Sequence, residues 1–277
     1  MVRISIESYD ALGPLSIADI ADRGVTLAVR RWRTLLVLVL LEAIPEALQH
    51  AALPMRGPGL WGPIVVDVLL VALLYPAAIL TATAPNAPAP GAMLHAAARR
   101  YGASLVASLI SFAFVALWVF VSVIAGLLGA APFAAFEYRL GIAIAAAVAG
   151  GGAALLLVPR AGLVAAIMLP IVILERCSAG EALTRARRRV NHAGFLRSSL
   201  LGLALFAVTV APVFVVSSAA DALTDVTHLA ALRALGDFIA DAVSLGLGAV
   251  LCTVAALDLR ARYEGTDLTA ELDAAVK

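Results

Sequence analysis

The charges that fall inside apolar sequence are the first candidates for chemistry. Glu42 and Glu46 stand four residues apart, with Pro45 between them, in a run that begins at Leu35. Residues i and i+4 share a helix face, so two such carboxylates could share a proton or hold a cation. In the alternative, Glu46 sits at the outer water boundary and Glu42 pairs with an arginine. Asp67 and Arg160 are similarly placed, and Asp241 lies at the edge of the last apolar run. A charge at the bilayer centre costs about 2.5–3.5 kcal/mol on insertion scales, so such residues usually persist for a reason. Arg160 could face a cavity and hold a lipid phosphate or a carboxylate, Glu42 or Asp67 by depth and Glu42 by preference. Its other reading is a guanidinium that snorkels to the inner interface.

A second constellation is basic: Arg185, Arg187, Arg188 and Arg189 lie between two apolar runs. Attraction to anionic lipid headgroups, worth about 1 kcal/mol per basic residue near the surface, explains it more simply than nucleic acid does. A topology signal alone is the competing account. No nucleophile–base pair, metal-type spacing or G-x-x-x-x-G-K-[ST] loop occurs in the sequence, so no catalytic residue, metal or other cofactor is expected. Cys177 and Cys252 are not expected to form a disulfide, and the glycines of AGGGA and GLGLGAV suit close helix packing.

The elements that must position these side chains are membrane spans. The stretches Tyr101 to Phe136, Leu140 to Pro159 and Ser198 to Ala220 contain no charged residue, and 62% of the chain is hydrophobic against 14% charged. About 20 apolar residues at 1.5 Å each cross a bilayer core. Hydropathy predicts an all-α integral membrane protein with six spans near 34–53, 63–84, 103–128, 140–159 with an apolar continuation to 174, 197–219 and 238–258. A straight helix from Leu140 to Glu175 would be about 54 Å long, so it must bend, tilt strongly or break, and Pro159 and Pro170 offer break points. Residues 1–15 read as an N-terminal segment, 16–262 as the membrane domain and 263–277 as a tail.

Arg56, Arg139 and Arg233 fall in one set of loops and Arg160 at span four, which leaves sixteen of the twenty basic residues on the side of the N-terminus. That asymmetry places both termini in the cytoplasm. The opening is polar and acidic where a signal peptide would be basic and then apolar, so the first span is expected to be retained. The excess of Arg over Lys, with abundant Ala, suggests a bacterial inner membrane.

Each odd-numbered span follows a basic segment with helical signals, starting near residues 16, 91 and 178. Ser178 with Glu181, and Ser16 with Asp19, are capping pairs. In the third segment Leu183, Ala186 and Val190 share one face, and Arg185, Arg188, Arg189 and His192 the other. The pattern predicts three units, each an interfacial elbow helix followed by a transmembrane hairpin. Between spans five and six, DALTDVTHLAALRALGDF suggests an outer amphipathic helix.

Three segments carry a resemblance. One is the opening GPLSIADIADRGVTLAVRRWRTLL. The second, LPIVILERCSAGEALTRARRRVNHAGF, holds Pro170, Glu175, Glu181, Ala182, Leu183 and Arg185. The third, LDLRARYEGTDL, holds Leu257, Asp258, Leu259, Arg260, Arg262, Glu264 and Gly265. Together they resemble the membrane domain associated with bacterial glycerophosphoryl diester phosphodiesterases and related six-span families of unknown function. Ala186 departs from a common serine, and Ala255 and Ala256 from bulky residues. The resemblance implies the fold and not the reaction, since the soluble barrel with its H-R-G signature would need about 250 residues of its own. The expected role is a non-catalytic helper or scaffold in envelope, lipid or transport processes, with anionic membrane lipids and a membrane protein as partners and no nucleic acid. The alternative is a transporter or lipid-translocating permease using Arg160 and the acidic residues.

Overall fold

The computed structural model describes residues 15–52, 61–84, 89–134, 139–227 and 230–276, with side chains for most of them, and these form helices with no strand among them. In chain order they are α1 (Ile17–Arg30), α2 (Trp32–Ala52), α3 (Trp61–Thr83), α4 (Pro90–Ala98), α5 (Tyr101–Ala134), α6 (Arg139–Leu174), α7 (Ala179–His192), α8 (Phe195–Thr227), α9 (Ala230–Asp241), a π-helical stretch Ala242–Gly248, and α10 (Ala249–Val276). Four helical runs are long and apolar enough to cross a membrane: α5, α6, α8, and α9 through α10 to Gly265. In α3 the apolar part is the shorter run Val68–Thr83. The runs α5 and α8 expose large apolar side chains along their length, with Phe112 at 77% and Val215 at 68%. Water would not tolerate so continuous an apolar surface, and lipid tails would.

The interior is built from the second half of α6, the first part of α10, α3 and the first half of α2. Ile167, Met168, Val172, Leu251, Leu38 and Ile79 are all buried there. Helices α5 and α6 form an antiparallel pair, with Arg100 Nη1 donating to the Val172 carbonyl at 3.3 Å and Ser111 Oγ to that of Ala165 at 3.4 Å. Further along, Gly126 and Gly150 face each other, and a Cβ on Gly126 would lie 3.3 Å from the Gly150 Cα. Small residues let the two backbones touch, which is how helices associate where water exclusion gives no drive. A Cβ on Gly202 would fall on the Pro159 carbonyl, so α8 lies equally close to α6. The α8 helix then runs antiparallel to the final run, with Gly236 against Ala220 and Gly248 beside Thr209.

The three segments preceding α2, α5 and α8 are helices, two of them closed by the capping boxes Ser16/Asp19 and Ser178/Glu181. Each packs along an even-numbered partner in the hairpin order. The start of α1 meets Asp258 while its Gly24 meets Leu251, α4 packs on α3, and α7 turns back along α6 until Asn191 meets Arg160.

Several expectations change. Helix α6 is continuous through Pro159 and Pro170, without a break. Neighbouring helices and local adjustment accommodate the amide that proline lacks. The segment read as one outer amphipathic helix is divided: residues 221–227 finish α8, and 230–241 form α9, which continues into the π-helical stretch. The segment read as a C-terminal tail is helical, continuing α10 as far as Val276, which leaves that reading open. On α7, Ala186 and Val190 are buried as expected and Leu183 is half-buried, but Ala182 and Arg189, at 6%, are buried too.

Candidate functional site

The charges cluster where α3 and α6 end, at Asp258 to Glu264 within α10, and where α2, α5 and α8 begin. At the entry of each of these last three helices an arginine reaches the helix paired with it. Arg31 Nη2 donates to the Ala84 carbonyl at 2.7 Å, Arg100 to that of Val172, and Arg197 Nη2 to the Asp258 carboxylate at 3.2 Å. Late carbonyls of a helix have no partner within it, and a cation there also complements the helix dipole. Arg31 and Arg100 thus cap late carbonyls, while Arg197 uses a carboxylate in the corresponding place.

The Arg197 contact is elaborated into a network. Asp258 is buried, at 4%, and accepts from the Leu15 amide at 2.8 Å, from Arg197, and from Arg262 Nε at 2.9 Å. Both arginines also donate to the Leu15 carbonyl, at 2.7 and 2.6 Å. One carboxylate thus joins the segment before α1, the entry of α8 and the last helix. Asp19, in the adjoining capping box, is held below the usual carboxylate range by the Ser16 hydroxyl and amide.

A second network surrounds Glu175, directly after α6. Its carboxylate takes Arg185 Nη1 at 2.7 Å and Arg189 on its other oxygen; Arg189 also approaches Glu264 at 3.7 Å, and Glu264 pairs with Arg260 at 2.7 Å. These groups, with Arg188 and Tyr263, line an open cleft of about 460 Å³. Burial pushes Glu175 upward, but the hydrogen bonds from Arg189 and Arg185 outweigh it and hold the carboxyl below its usual range. The same contact raises Arg185 further, and burial raises the neighbouring Cys177 thiol. The Tyr263 ring meets His192 edge to face, with centroids 5.5 Å apart.

The four arginines proposed for anionic lipid divide accordingly. Arg185 and Arg189 are held by Glu175, whereas Arg187 and Arg188 are exposed. Arg160 is not paired with Glu42. Its Nη2 donates to Asn191 Oδ1 at 2.7 Å and its guanidinium lies 5.4 Å from the Phe195 ring centroid, at the level of α7. The packing of α7 along α6 supplies that amide, and no pattern in the sequence pointed to it. Glu42 is buried on α2, Asp241 is half-buried at the start of the π-helical stretch, and the side chains of Glu46 and Asp67 lie outside the described residues. No cluster of metal-ligating side chains occurs among the described residues, and both cysteines are free thiols.

Glu175 and Asp258 were read only as letters of short motifs. A better signal was present: Asp258 ends an apolar run and has Arg262 one helical turn later. Compared with protein-family models, with curated proteins and with solved structures, the chain matches none of them.

Proposed function

We propose that this chain is a six-span protein of a bacterial inner membrane, with its elbow helices and both termini on the cytoplasmic side, that acts as a non-catalytic helper or scaffold in envelope, lipid or transport processes. In this reading α2 and α3 form the first membrane hairpin, completing three. The observation that carries it is the use of charge at the inner end: Glu175, Asp258 and Glu264 each hold arginines of the chain itself. Such groups fix one arrangement of helices and present a stable face to another protein. The basic-residue asymmetry supports the orientation. Kinship with the phosphodiesterase-associated membrane domain belongs to the same proposal. Its supporting residues, Glu181, Arg185, Asp258 and Arg262, serve as cap, ion-pair and latch groups here.

Exposed Arg187 and Arg188 remain the anionic-lipid contacts of α7. The permease alternative drew on Arg160 opposite Glu42, and the Asn191 contact removes that argument. Extraction from native membranes in mild detergent should yield a complex larger than the 28.5 kDa chain, with one membrane protein in fixed stoichiometry. The purified chain alone in liposomes should not move a fluorescent phospholipid between leaflets. A chain that purifies alone and translocates lipid above background would replace this reading with the permease.

A further inference from the structure

A second cleft, of about 730 Å³, opens between the end of α3, the elbow α4 and the end of α6, and its charge differs from that around Glu175. Its basic groups are Arg99, Arg100 and Arg176, with His95, and no carboxylate lines it. Arg99 Nη2 meets only the His95 ring, at 3.2 Å, and Arg100 is engaged with a backbone carbonyl. Arg176 makes no ion pair among the described residues, because the carboxylate beside it in sequence, Glu175, is turned to Arg185 and Arg189. Arg176 also adopts φ +53°, a left-handed conformation uncommon for a residue other than glycine. That backbone sends residues 175 and 176 into different clefts. The remaining lining is apolar: Leu80, Met93 and Ile173 among others. The volume is in the range of small-molecule sites.

We infer that this cleft is a binding site for the phosphate headgroup of an anionic phospholipid. Three guanidiniums with no carboxylate partner among the described residues favour an anion from outside the chain, and arginine matches phosphate oxygens in a two-pronged fashion. The cleft lies at the level where α3 and α6 end, so an acyl chain can run over the apolar lining while the headgroup stays among the arginines. This assignment rests on the membrane placement of α5 and α6 and is independent of the helper role. It also differs from the α7 cluster, in which half of the arginines are already neutralised.

The test is native mass spectrometry and equilibrium binding on the full chain in a non-ionic detergent. The probes are dioctanoyl phosphatidylglycerol, dioctanoyl phosphatidylcholine and inorganic phosphate. Phosphatidylglycerol should bind more tightly than either of the others. Each basic group near an anionic surface contributes about fivefold, so Arg99→Gln with Arg176→Gln should weaken it roughly thirtyfold. Arg99→Lys with Arg176→Lys should retain most of the binding, and Arg187→Gln with Arg188→Gln should leave this site unaltered. If the double glutamine variant does not remain monodisperse, Arg99→Gln alone, at an exposed residue, should still weaken binding about fivefold. Equal binding of the two lipids, unchanged binding in the glutamine variants, or inorganic phosphate binding as tightly as phosphatidylglycerol would each overturn the assignment.

Discussion

Asp258 is the residue on which most of the inner end depends, because it serves two guanidiniums and a backbone amide from three parts of the chain. Replacing it with asparagine preserves its shape and leaves both arginines without their charge partner. Breaking a buried ion pair costs about 3–5 kcal/mol. Arg197 and Arg262 retain some access to water, so about 2–3 kcal/mol is the expected loss after allowing for solvent. Thermal unfolding in mild detergent should therefore fall clearly for Asp258→Asn and less for Arg262→Gln, which leaves the carboxylate with Arg197 and Leu15. Arg160→Leu should change stability least, since it removes an exposed bond to Asn191. A stable Asp258→Asn beside a strongly destabilised Arg160→Leu would reverse this ranking. Sequence made Arg160 conspicuous because it interrupts apolar residues. It could not show that α7 folds back to meet it, since that contact joins positions 31 residues apart.

The helices α1 and α7 were legible because their signals are local. Ser16 with Asp19 and Ser178 with Glu181 close their own first turns, and Ala186 and Val190 of the apolar face read from the spacing are buried. What α7 packs against was not legible, and this placed Arg189 on the wrong face. The continuity of α6 was also hidden, because proline reads as a break unless the neighbouring helices are known. The attachment of α7 to α6 runs through Glu175, which gives it a pH dependence of known sign. The folded carboxyl lies below the ordinary glutamate value of about 4.3. Its pairing therefore contributes stability that is fully present above that value and lost as pH falls through the depressed one. Thermal stability of the natural chain should exceed that of Glu175→Gln at neutral pH, and the gap should close as pH falls below the ordinary glutamate value of about 4.3. Other carboxylates titrate in both proteins and cancel in the difference. Curves that stay parallel through that fall in pH would show that Glu175 does not hold the elbow.

At the scale of the whole molecule, the proposed three hairpins carry three entry arginines, Arg31, Arg100 and Arg197, each bonded to the helix paired with it. The repeat was visible in the sequence as basic segments before alternate apolar runs, while the contacts themselves depend on tertiary packing. Four of the helical runs are unambiguous in length and apolarity; α2 and α3 complete the account through their place in the first hairpin. The central claim is that all three hairpins open their charged ends to the cytoplasm. Single cysteines at Ala193 and Thr227, in a chain with Cys177 and Cys252 replaced by alanine, test it most directly with a membrane-impermeant thiol reagent. The account predicts that position 227 is labelled in intact cells, while position 193 is labelled only after the membrane is opened. Labelling of position 193 in intact cells, with 227 protected, would contradict it.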